Sequence, residues 1–109
     1  MIQLTNEDRL TIVLWAASHS DIMKVWLYGS RARGEANDNS IIDLAIETAG
    51  ESLLDSMSSW KAGLHTWRSE IALSSEAQLE WYSPEADLNH VGDGVKHLLY
   101  KAAPIVDTH

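Results

Sequence analysis

The sequence predicts an α/β chain of the α+β kind, with one mixed β-sheet of about four strands packed against helices. Three observations carry this. Apolar residues recur at helical spacing over 6–18 and again over 51–64. Short apolar or alternating runs at 24–28, 41–47, 68–74 and 95–100 have the length and character of strands. The resulting order, helix, strand, strand, helix, strand, helix, strand, places strands and helices in one layered unit. At 109 residues the chain suits a single domain over 1–109, with a short tail from about 103.

Each element has a local reason. Thr5-Asn6-Glu7-Asp8 reads as a helix start, in which Thr5 accepts from the third helical N–H and Asp8 bonds back. Leu10, Val13, Leu14 and Ala17 then form the apolar stripe expected to face the core. His19, at the helix end, suits a favourable contact with the helix dipole. Lys24 to Tyr28 is apolar on both faces after the lysine, as in an interior strand covered on both sides. Residues 30–34 suit one helical turn. In the next strand Ile42, Leu44 and Ile46 alternate with Asp43, Ala45 and Glu47.

Leu53, Met57, Trp60 and Leu64 share one face of the second long helix. Arg68 to Ser74 reads as a third strand, with Glu70 opening the run Glu-Ile-Ala-Leu. Residues 76–82 fit helix or loop. Pro84 suits the first turn of a short helix reaching about Val91, and Gly92-Asp93-Gly94 reads as a turn. Val95 to Tyr100 reads as a last, edge strand.

Composition narrows the function classes. There are 8 basic and 16 acidic side chains, a formal net charge of −8, and such a surface repels a phosphate backbone, which argues against non-specific nucleic-acid binding. There is no cysteine, so disulfides, thiolate nucleophiles and zinc-thiolate sites are excluded; this fits a cytoplasmic protein. No apolar run is long enough for a membrane-spanning helix, and the first eight residues are too polar for a signal peptide. The histidines show no metal-ligand spacing.

The chemistry concentrates at Leu27 to Glu47. A strand runs into Gly29-Ser30, where a tight turn exposes backbone N–H groups able to cradle phosphate oxygens. Asp43, near the start of the following strand, is placed to hold the magnesium that travels with a nucleotide. Arg31 and Arg33 suit bidentate phosphate pairing and surface salt bridges equally.

Gly29-Ser30, ten intervening residues, position 41, one spacer and Asp43 make a recognisable frame. With Leu27-Tyr-Gly-Ser-Arg-Ala-Arg-Gly34 it resembles the minimal nucleotidyltransferases of the DNA polymerase β-like superfamily. About twenty residues match tightly and most of the chain loosely. The resemblance implies the nucleotidyltransferase fold, with Gly29 and Ser30, joined by Arg31 and Arg33, binding a nucleoside triphosphate. It implies two aspartates one residue apart and a third carboxylate on a neighbouring strand, together holding divalent metal, Mg2+ or Mn2+. Asp43 and, by this matching, Glu70 would then be the metal-binding and catalytic carboxylates.

Position 41, where the first aspartate belongs, is isoleucine and has no donor oxygen. Two functions therefore stay open. One is transfer of a nucleotidyl group, AMP from ATP, to a hydroxyl acceptor. The other is a degenerate, non-enzymatic antitoxin or regulatory binding subunit. By resemblance, either would pair with a helical HEPN-type partner in a toxin–antitoxin couple; a homo-oligomer is left open.

Overall fold

The computed structural model describes residues 2–37, 39–86 and 94–103. The elements run α1 (Asn6–Ala17), β1 (Ile22–Tyr28), α2 (Gly29–Arg33), β2 (Ile42–Thr48), α3 (Leu53–Glu70), β3 (Ala77–Trp81) and β4 (His97–Lys101). One four-stranded sheet has the order β3-β2-β1-β4. β1 is antiparallel to both β2 and β4, whereas β2 and β3 are parallel, so the sheet is mixed, as expected. No helix among the described residues is long and apolar enough to cross a membrane.

Alternation in the strands separates two faces. Val25, Leu27, Ile42, Leu44, Ile46 and Leu79 turn toward the helices and are buried with Ile12, Trp15 and Ala16 of α1 and Trp67 of α3. Asp43, Ala45 and Glu47 take the other face, where Ala45 is buried with Tyr82 against half-buried Trp26 and Tyr28. The Gly29-Ser30 turn lies at the end of this second face.

Three expectations change. The face of α1 that packs is Asp8, Ile12, Trp15 and Ala16. Leu10 and Leu14 are instead exposed, at 58% and 61%, because the larger indole of Trp15 buries more surface when that side is turned inward. Residues 68–74 are not a strand: α3 continues to Glu70, and an extended connection follows. The helix persists because Trp67 prolongs the stripe of Trp60 and Leu64, and because Gly63 leaves room for the Trp67 ring to lie back over it. The third strand is β3, in the stretch 76–82 that fitted helix or loop.

Pro84-Glu85 is a turn, and the remainder of the short helix expected to Val91 lies outside the described residues. So do the 92–93 part of the glycine turn and the tail from 104. β4 forms at the edge, as expected.

Asp8 ties α1 to the connection after α3. Thr5 caps α1 by accepting from the Asp8 N–H at 3.1 Å, and the Asp8 carboxylate in turn hydrogen-bonds with the Thr5 side chain. Its oxygens accept from the Ser74 backbone N–H at 2.9 Å and from the Ser74 hydroxyl. Burial works to raise the Asp8 pKa; these hydrogen bonds, with Arg31 nearby, outweigh it and hold the carboxyl below its usual value. A depressed carboxylate contributes stability above the unfolded pKa of about 3.9, and loses it as pH falls through the lower folded value. Asp8→Asn is accordingly expected to lower stability by about 1–3 kcal/mol at pH 7. The gap to wild type should close toward pH 3, as read from urea denaturation at both pH values.

Candidate functional site

The site begins where β1 stops. Tyr28 is still extended, at φ −135°, and Gly29 then takes φ +74°, a left-handed conformation that only glycine adopts without strain. The chain turns directly into α2. A second left-handed glycine, Gly34 at φ +75°, caps that short helix, its N–H donating to the Ser30 carbonyl. The two glycines thus set the turn that carries Ser30.

Asp43 is brought to this turn by sheet register, since Tyr28 of β1 stands directly opposite Asp43 of β2. The approach is close: a Cβ on Gly29 would collide with the Asp43 carboxylate oxygen Oδ2. Glycine is required here twice, for its backbone angle and for the carboxylate that lies against it. On the other side of β2, parallel pairing places Gln78 opposite Asp43 and Glu80 opposite Ala45, so Asp43, Gln78 and Glu80 share one face.

This corner is electrostatically negative. Burial, then repulsion from Glu80, pushes the Asp43 carboxyl above its ordinary pKa, while Arg33 pulls it down. The Tyr28 phenol is also pushed up, by burial and then by Asp43 and Glu80. Both shifts mark a place where a cation would be welcome. Next to it, the Trp26 indole donates to Glu47 at 2.6 Å, and the Lys96 amine lies 5.3 Å from the Trp26 ring centroid and 5.8 Å from that of Tyr82.

Arg33 is exposed and pairs with Glu35 at 3.0 Å. Arg31 is committed to the scaffold. Its guanidinium donates to the carbonyls of Ser40 and Gln3 and to the Ser75 hydroxyl, joining three separate segments.

Glu70 is not where the matching required it. It is the last residue of α3, in the helical layer on the opposite face from Asp43, and pairs with His19 Nε2 at 2.7 Å. A helix end rather than a strand start occupies that position, so Glu70 and Asp43 do not share a site. Ile41 stands just before β2, 38% exposed, on the rim of a cleft of about 760 Å³ also lined by Ile71, Leu73, Gln78 and Leu79.

His97 lies 3.2 Å from the Ala32 carbonyl; His90 and His109 lie outside the described residues. Among the described residues no three His, Asp or Glu side chains are grouped so as to hold a metal.

Tyr28, Gln78 and Glu80 escaped the sequence reading. The signal for the last two was present in Ala77-Gln-Leu-Glu-Trp81, whose apolar residues alternate with polar ones.

A family model described as polymerase beta, nucleotidyltransferase matches residues 11–102, which span every feature of this site. No curated protein matches the chain. Among solved structures, a candidate nucleotidyltransferase from Sulfolobus solfataricus is similar at 21% identity and a TM-score of 0.48, covering 85% of this chain and 76% of that one.

Proposed function

The chain belongs to the polymerase beta nucleotidyltransferase family, and from that premise we propose that it binds a nucleoside triphosphate, ATP as the reference case, at the Gly29-Ser30 turn. One observation carries the reading: the Asp43 carboxylate is seated against the Gly29 turn in a space that any larger residue would fill. Backbone N–H groups at the start of α2 and the Ser30 hydroxyl would take phosphate oxygens. Asp43 would take the magnesium ion accompanying them.

The donor set fits that single ion. Magnesium in nucleotide sites is held by one or two carboxylates plus the substrate phosphates, keeping several waters. Asp43 provides the carboxylate, whose pKa is raised first by burial and then by the Glu80 charge, a charge that an ion would offset. Bound there, the ion would neutralise phosphate charge and orient the triphosphate. Arg33, exposed at the end of α2, supplies positive charge beside Asp43 and would screen the phosphates on the outer side.

In this reading the chain is a nucleotide-binding subunit of a two-component, toxin–antitoxin-type pair with a helical HEPN-type protein. Leu10 and Leu14 on the exposed side of α1 offer apolar surface suited to a helical partner.

Calorimetry with ATP and Mg2+ tests the binding. Wild type is expected to bind, and Asp43→Asn to weaken the affinity at least about tenfold with unchanged folding, as loss of a direct metal ligand requires. Absence of binding by the folded wild type, or equal affinity in Asp43→Asn, would sink the proposal.

A further inference from the structure

We infer that this site does not hold the pair of divalent ions that nucleotidyl transfer requires, and that the whole deficit lies at two positions, Ile41 and Gln78. The inference rests on the nucleotide-binding reading and deepens it, because it defines what a bound nucleotide meets.

Two ions about 3.5–4 Å apart need oxygens shared between them and several anionic donors around them. Hard cations take oxygen, so each donor position can be judged by its side chain. On the β2 side, the residue two before Asp43 is the one that alternation carries to the same face. It is Ile41, a branched hydrocarbon on a cleft rim. The position where the first ligand would stand therefore offers a hydrocarbon side chain and no oxygen.

On the β3 side, the residue directly facing Asp43 is Gln78. Directly opposed side chains begin about 5 Å apart, close enough to converge on one ion. Gln78 brings a neutral amide, and its Nε2 donates to Glu80 Oε1 at 3.0 Å. Glu80 is one pleat further along, opposite Ala45. It adds negative charge to the corner without occupying the row of Asp43. Glu70 is on the other side of the sheet with His19 and contributes nothing to the corner. Of the three positions that would converge on a metal pair, 41, 43 and 78, only 43 carries a carboxylate.

Asp43 with nucleotide phosphates suffices for one ion, so binding persists, whereas a second ion finds no carboxylate at positions 41 and 78. A nucleotide bound there would meet one ion and not a pair.

Restoring the two positions provides the test. Mn2+ would be titrated into the chain with a non-hydrolysable ATP analogue and free ion followed by electron paramagnetic resonance. Wild type should take one Mn2+ per complex. Ile41→Asp combined with Gln78→Asp should take two, the second at least about tenfold tighter than any second ion in wild type, and each single substitution should fall between. Both positions tolerate polar side chains, since Ile41 and Gln78 are exposed. Ile41→Asp with the isosteric Gln78→Glu is a second route should the first variant misfold. Two Mn2+ ions in wild type would overturn the inference while leaving the nucleotide-binding reading intact. So would a folded double variant that stays at one. If the analogue does not bind wild type at all, the binding reading fails first, and the inference falls with it.

Discussion

Trp67→Ala is expected to lower stability by about 3–5 kcal/mol, at the upper end of what one core truncation costs. Trp67 is 3% exposed and belongs to the cluster that joins both long helices to the sheet. Its ring meets Trp60 at 6.0 Å and His19 at 6.1 Å between centroids, so it holds the end of α3 against the end of α1. The indole also lies over Gly63, where there is no Cβ to displace it. Alanine would remove the burial and leave a cavity that rigid strands on the other side cannot fill. A domain of this size has only a few kcal/mol of stability in total. The variant should therefore be largely unfolded or molten by near-ultraviolet circular dichroism at 25 °C. A urea midpoint close to that of wild type would show that the sheet face closes over the gap.

Arg31→Ala should follow closely, at about 2–4 kcal/mol, from lost charge-assisted hydrogen bonds and the acceptors left behind. The guanidinium reaches the Gln3 carbonyl at 3.0 Å, the Ser40 carbonyl at 2.9 and 3.2 Å and the Ser75 hydroxyl at 3.1 Å. The same region is held by Gln3, whose backbone N–H donates to the Arg31 carbonyl and whose side chain exchanges two hydrogen bonds with Ala36. Arg31 is thus the knot joining the segment before α1, the loop before β2 and the connection before β3. Arg31→Lys is expected to recover little of the loss, because a point charge on a flexible stem cannot reproduce a planar fork with several fixed donors. Denaturant midpoints for the two variants check this. Full rescue by lysine would mean that charge, rather than geometry, is what this position supplies.

The arginines show how far a motif can be read alone. Arg31 and Arg33 are equivalent in the run Gly-Ser-Arg-Ala-Arg-Gly, and both suited phosphate or salt-bridge roles. In the folded chain they diverge, since α2 turns Arg31 inward toward Ser40 and Ser75 and leaves Arg33 outside with Glu35. A helix of one or two turns presents adjacent odd residues to different surroundings, and sequence does not contain those surroundings. The α1 stripe failed for a related reason. Leu10, Val13, Leu14 and Ala17 form as good a helical face as Ile12, Trp15 and Ala16, and periodicity cannot choose between two apolar faces of one helix.

Local sequence did determine the turn and the two strands around it. Gly29, Ser30 and Gly34 have a conformational reason that needs no partner, and alternation from Ile42 to Thr48 assigns Asp43 to one face wherever that strand is placed. The expectation of a carboxylate facing that turn matches the placement of Asp43 against Gly29. Only the tertiary structure decided what surrounds Asp43. The parallel pairing of β2 with β3 spans a helix of 18 residues, and a register across such a gap is set by how the sheet and helix bury their apolar faces together. That register puts Gln78 opposite Asp43 and sends Glu70 to the far side of the sheet, because Trp67 draws the end of α3 into the core and carries Glu70 with it.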